Sequence, residues 1–252
     1  MSLLLGVNVD HVATLRQARY SLLPNSPQAE PSPLQACLAA EAGGADSITI
    51  HVRGDRRHMQ ERDAFEIRKE CSLPLNLEMG NTPEMLSLAL ELKPDFVCLV
   101  PETREEVTTE GGLDVAGQVE DVSETVRILQ DAGIRVSLFI DPDKPQFEAS
   151  AETGAKMIEL HTGAFANAEG QLRADELKRL EQSARLGKQH GLQVNAGHGL
   201  NYENLAEFLT VPSLTELNIG HSIVSRAVFV GFREAVQEMK SAMASYSQEG
   251  VS

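Results

Sequence analysis

The chain has 252 residues, of which 42% are hydrophobic and 23% charged. That is apolar material enough for a buried core, and it excludes a disordered polypeptide. With 22 Lys and Arg against 37 Asp and Glu the net charge is −15, a field that repels nucleic acid and anionic membrane surfaces and excludes both as partners.

The N-terminal run MSLLLGVNVDH has neither a basic lead nor a small-residue cleavage site, so it reads as a buried strand rather than a signal peptide. No apolar run approaches the roughly 20 residues needed to span a bilayer. Strand-like segments are expected over 3–10, 47–52, 74–79, 95–101, 135–141, 156–163, 192–199 and 214–222. Helical patterns lie between them, over 33–44, 62–71, 83–93, 119–133, 147–154, 175–191 and 203–211. A longer one, 223–243, follows the last strand. Gly43-Gly44, Gly133, Gly154 and Gly191 stand where a helix must stop before a strand.

Near-continuous apolar strands alternating with helices indicate parallel strands covered on both faces. Eight such units in about 250 residues fit one α/β domain over 1–252, a (β/α)8 TIM barrel. A doubly wound open sheet is the alternative, but its glycine-rich first turn is missing. The Pro-rich stretch 24–33 is a loop inside the first connection. Residues 102–118, after the fourth strand, form a long connection expected to act as a lid, with Gly111-Gly112 as its hinge. Cys37, Cys71 and Cys98 suit neither a disulfide framework nor a zinc ribbon, which points to a reducing cytoplasm.

In such a barrel the chemistry sits at the C-terminal ends of the strands. Those ends carry Asn8, Asp10 and His11; His51 and Arg53; Glu78; Asp141; Glu159 and His161; Asn195 and His198; Asn218 and His221. The fourth strand runs into a loop holding Thr108 and Thr109. Five of the seven histidines therefore share one face. Any one of them would pass for a core or capping residue, but together they mark a site for proton transfer near neutral pH.

Glu78 lies between apolar neighbours in NLEMG, which desolvate it and raise its pKa toward that of a useful base. The turns NAGHG (195–199) and Gly220-His221-Ser222 follow the seventh and eighth strands, where barrels commonly hold phosphate on backbone N–H groups. Arg16, Arg19, Arg53, Arg56 and Arg57 are further candidate anion partners, Arg56 and Arg57 weighed equally as a solvated face. No lysine ends a strand, which disfavours a Schiff-base aldolase. His51, Glu78, Glu159, His161 and His198 would suit one divalent ion, a minor alternative to a metal-free site.

These residues lie in GVNVDHVATLRQAR (6–19), ITIHVRGDRRH (48–58), NLEM (76–79), CLVPETREEVTTEGGLDV (98–115), IELHTG (158–163), VNAGHGLNY (194–202) and ELNIGHSIVSRAV (216–228). The chain thereby resembles, over nearly its whole length, the pyridoxine 5′-phosphate synthase family of the deoxyxylulose-dependent vitamin B6 pathway. The resemblance implies a TIM barrel with extra helices, assembled as an octamer (a tetramer of dimers). It implies condensation of 3-amino-2-oxopropyl phosphate with 1-deoxy-D-xylulose 5-phosphate, without metal or organic cofactor. By the same resemblance Glu78 and His51 are general bases, His198 the general acid, and Glu159 a stabiliser of developing charge. Asn8, Arg19, Gly199, Gly220 and His221 would hold the aminoketone phosphate; Asp10, His11, Arg53, His58 and Thr108 would hold the deoxyxylulose phosphate. Two departures stand out: the connection from Arg19 to Leu34 is longer and richer in proline, and Gly54 replaces an expected glutamate.

The rival readings are a phosphosugar isomerase or epimerase, which needs only one phosphate site, and a non-catalytic phosphate-binding barrel, which has no use for Glu78.

Overall fold

Residue alternation within each strand decides what reaches the site. The computed structural model describes residues 2–23, 26–102 and 111–248. Eight parallel strands close into a barrel in chain order: β1 (Leu4–Asn8), β2 (Ser47–His51), β3 (Leu75–Met79), β4 (Phe96–Leu99), β5 (Arg135–Ile140), β6 (Met157–His161), β7 (Gln193–Gly197) and β8 (Leu214–Ile219). All eight expected strands are present, each trimmed by a residue or more.

The outward residues, Leu5, Val7, Ile48, Ile50, Leu75, Leu77 and their counterparts, are buried against the helices and form the main core. The inward residues are largely polar. Ser47 Oγ donates to Glu216 Oε1 at 2.8 Å, Thr49 Oγ1 to Asn218 Oδ1 at 3.0 Å, and Asn218 Nδ2 to Glu159 Oε2 at 2.6 Å. Barrels of this class usually fill that space with branched apolar side chains; here these polar groups pair with one another, which offsets the cost of their burial. Ser137 Oγ on β5 is buried without a hydrogen-bond partner among the described residues. Gly6 leaves room for this column, since a Cβ on it would stand 2.1 Å from Asn218 Oδ1.

The helices are α1 (Asp10–Tyr20), α2 (Pro33–Gly43), α3 (Glu61–Glu70), α4 (Pro83–Leu92), α5 (Val119–Asp131), α6 (Lys144–Glu152), α7 (Gly163–Asn167), α8 (Gly170–Gln189), α9 (Leu205–Phe208), α10 (His221–Val230) and α11 (Phe232–Ala242). Two helices follow each of β1, β6 and β8, so the expected additions to the plain eightfold barrel are present. None of the helices among the described residues is long and apolar enough to cross a membrane. The glycines expected to stop helices do so: Gly44, Gly133, Gly154 and Gly191 have φ of +92°, +82°, +83° and +74°, conformations that cost a glycine little.

Three expectations are corrected. The first strand ends at Asn8 rather than Asp10, and Asp10 opens α1, a helix that the mixed pattern of HVATLRQARY concealed. The helix expected over 223–243 is two, because Gly231 at φ +89° turns the chain between α10 and α11. Arg16, expected to meet an anion, is instead buried, with its guanidinium bidentate on Asp63 (2.7 Å to each oxygen) and a third bond to the His58 carbonyl.

Candidate active site

Because side chains alternate along a strand, the inward positions nearest the C-terminal ends converge. His51 pairs in register with Glu78, Glu78 with Cys98, and Glu159 with Asn195. The result is a cavity of about 540 Å³ over the C-terminal mouth of the barrel. Its lining contains the four residues expected to be catalytic, Glu78, His51, His198 and Glu159, with Asn8, Asp10, His11, Arg53, His58, Gly199, Gly220 and His221. Arg19 is not among them; it lies in the last turn of α1, in a separate shallow depression with Leu15, Tyr20, Glu30 and Pro31. Thr108 and Thr109, and with them residues 103–110 of the expected lid, lie outside the described residues. Of the arginines weighed as a basic face, Arg57 lines the cavity while Arg56 pairs with Glu61 and Glu84.

Three carboxyl groups meet at the cavity floor. Asn8 Nδ2 donates to Asp10 Oδ2 at 2.9 Å and approaches Glu78 Oε2 at 3.5 Å, and the His51 backbone N–H donates to Asp10 Oδ1 at 2.7 Å. Burial, then the negative charges of Asp10 and Glu159, push Glu78 well above the ordinary carboxyl range. Glu159 is raised to about 8 by burial, against the hydrogen bond from Asn218 and with the added repulsion of Glu216. Glu159 thus holds its proton near neutral pH, and at Glu78 the same causes favour the protonated form, so both can exchange protons with a bound molecule. Asp10, His51 and Glu78 also bring one ligand atom each within 4.8 Å of one another. A divalent cation would fit that spacing.

Glu159 carries a consequence for stability. Its folded pKa of about 8 lies above the ordinary 4.5, so the folded chain binds a proton that the unfolded chain releases between these values. Stability from this group is therefore full below about pH 4.5 and lost as pH rises toward 8. Thermal unfolding of Glu159→Gln from pH 5 to 8.5 is expected to show a shallower decline than the parent, with a higher Tm at the alkaline end. Parallel curves would contradict it.

The histidines form pairs. His11 Nδ1 and His221 Nδ1 are 2.8 Å apart, so one donates and the other accepts; burial, then the neighbouring His221, lowers the pKa of His11 against the pull of Asp10. This pair stands at the first turn of α10, whose leading N–H groups have no intrahelical acceptor and favour an anion. Gly220 is tight against Asn8, a Cβ there falling 3.0 Å from the Asn8 Cβ. At the other wall, burial lowers the pKa of His58, and the Met59 backbone N–H donates to its Nδ1 at 2.7 Å.

His198 sits at φ +82° directly after β7, a left-handed conformation rare outside glycine and often found at working sites. Thr162 Oγ1 anchors that turn by donating to the Gly197 and His198 carbonyls at 2.7 and 2.5 Å. Edge-on to the His198 ring lies His161, whose Nδ1 is 2.9 Å from Asp141 Oδ1. Asn218, expected at the end of the eighth strand, holds Glu159; one group of the site was not legible as such, Glu102, which lies 2.8 Å from His51 Nε2.

A closed (β/α)8 barrel with acids and histidines gathered beside the N-terminus of α10 defines the class: a barrel enzyme acting on phosphorylated small molecules. Residues 5–245 match the model of the family described as pyridoxal phosphate biosynthesis protein PdxJ, and the chain belongs to that family. Pyridoxine 5′-phosphate synthase of Akkermansia muciniphila is 61% identical over 96% of this chain and 98% of its own; the protein of the same name from Opitutus terrae is 54% identical over 96% and 99%. Among solved structures, phosphoribosyl anthranilate isomerase from Thermococcus kodakaraensis superposes with a TM-score of 0.62 at 12% identity, covering 97% of this chain and 100% of that one. At that identity the likeness shows the barrel fold alone.

Proposed function

We infer that this chain condenses 3-amino-2-oxopropyl phosphate with 1-deoxy-D-xylulose 5-phosphate, giving pyridoxine 5′-phosphate, inorganic phosphate and water. The carrying observation is the meeting of Glu78, His51, Glu159 and His198 in one cavity, with the first turn of α10 on one side and Arg53 and Arg57 in the lining. Imine formation, dehydration, phosphate expulsion and ring closure each move protons, and one acid–base pair cannot be correctly protonated for all of them. In this reading His51 and Glu78 take protons, His198 returns one to a leaving oxygen, and Glu159 stabilises charge as it develops. Asn8, Gly199, Gly220 and His221 hold the aminoketone phosphate on the α10 side. Asp10, His11, Arg53, His58 and Thr108 hold the deoxyxylulose phosphate. Arg19 lies outside the cavity lining of this chain.

The same reading takes the chain as one cytoplasmic domain over 1–252 that assembles as an octamer, a tetramer of dimers. The exposed Phe229 (82%), Val228 and Leu15 on α10 and α1 support an interface there.

The test mixes purified protein with the two phosphates and follows release of inorganic phosphate and formation of pyridoxine 5′-phosphate, with and without EDTA. Product formation that survives EDTA is expected. No product despite phosphate-ester binding would favour an isomerase, and EDTA-sensitive turnover would restore a metal at Asp10, His51 and Glu78.

A further inference from the structure

Glu102 lies directly beyond Pro101 after β4, where sequence patterning does not set it apart from the other acids of its segment. Its carboxylate is held from three sides. Oε1 lies 2.8 Å from His51 Nε2 and accepts the Gly80 backbone N–H at 3.2 Å, while Oε2 accepts the Gly54 backbone N–H at 3.0 Å. The seat is shaped by glycines: a Cβ on Gly80 would stand 3.1 Å from the Glu102 Cδ, and one on Gly54 3.3 Å from Oε2. Gly54, the departure noted in the sequence, is thus a point where the backbone itself reaches this carboxylate.

The donors settle where the protons are. A backbone N–H can only donate, so both oxygens of Glu102 act as acceptors. Burial works to raise its pKa, but the hydrogen bonds from His51 and Gly54, with the charges of His51 and Arg53, outweigh burial and hold it below the ordinary value. Toward an ionised carboxylate, His51 Nε2 must be the donor. In the neutral ring the lone pair then belongs to Nδ1, which lies 3.8 Å from Glu78 Oε2. The His51 main chain is fixed separately, by Asp10.

We propose that Glu102 is a positioning residue: seated on Gly54 and Gly80, it keeps the His51 proton on Nε2 and leaves Nδ1 as the basic atom facing Glu78 and the substrate. The proposal rests on the reading of His51 as a general base. Second partners of this kind fix the tautomer and ring orientation of a working histidine, and their loss costs about 10- to 100-fold where measured at metal sites.

The test begins with the unaltered protein carrying [15N]histidine, the His51 signals being assigned by their absence in His51→Gln. At pH 8 the ring is expected to carry its proton on Nε2, with Nδ1 at the shift of an unprotonated nitrogen. A proton on Nδ1 overturns the proposal whether or not any variant folds. In Glu102→Gln one amide must face donors on both sides, since its NH2 group opposes either Gly54 or His51. The expected result is a kcat about 10- to 100-fold lower, KM for both substrates within about twofold, and the Nδ1–H tautomer appearing in the spectrum. Unchanged kcat overturns the proposal; so does a lower kcat with the proton still on Nε2, which would mark a merely structural role. If the unaltered protein forms no pyridoxine 5′-phosphate, the functional reading fails, while the tautomer of the free protein still decides the place of Glu102.

Discussion

Replacing Glu78 with Gln is expected to lower kcat on the order of 10²- to 10⁴-fold, the range that general acid–base catalysis supplies, with binding of the phosphate esters little changed. The side chain keeps its shape but can no longer exchange a proton. Its carboxyl is driven well above the ordinary range by burial and by the charges of Asp10 and Glu159, so folding favours its neutral form and disfavours the charged one increasingly as pH rises. A neutral amide removes that cost, and the Tm of Glu78→Gln at pH 8 is expected to equal or exceed that of the parent. Stopped turnover, phosphate-ester binding and thermal unfolding on one preparation check all three points. A variant that retains turnover would remove Glu78 from the chemistry, and one that unfolds early would make it a structural residue.

The second large effect lies outside the cavity. Arg16 is 2% exposed and Asp63 4%, and their two 2.7 Å bonds tie α1 to the N-terminus of α3. Asp63 also accepts the Gln60 backbone N–H at 2.9 Å, so the same carboxylate caps α3. Breaking a buried pair from one side leaves an uncompensated charge and costs about 3–5 kcal/mol. Arg16→Met is therefore expected to lower Tm by about 10 °C in a chain of this size. Replacing both partners, as in Arg16→Met with Asp63→Leu, relieves the stranded charge and recovers part of that loss. Calorimetry of the single and double variants decides it. A single variant of normal stability but weakened phosphate binding would return Arg16 to the role that its place in the sequence first suggested.

The error over Arg16 shows where a linear reading stops. From the sequence, Arg16 and Arg19 stand shortly after the first strand, beside the expected mouth of the barrel. Whether a guanidinium meets substrate or a protein carboxylate depends on α1, whose pattern was too mixed to register as a helix, and on a partner 47 positions away. His51 and Glu78 were easier. Each sits at the end of a strand with a clear apolar pattern, and parallel pairing of consecutive strands sets them side by side.

The sequence by itself determined the eight strands, the glycines that end the helices before them, and the face that gathers the histidines with Glu78 and Glu159. Those features follow from alternation along a strand and from local backbone preference, which neighbouring residues carry between them. Tertiary structure alone decided which charges are spent on one another. It buried Arg16 on Asp63, broke the last helix at Gly231, left Arg19 outside the cavity, and brought Glu102 onto His51 from 51 residues away. Closing the barrel sets those distances, and a buried charge takes whatever partner that closure puts within reach.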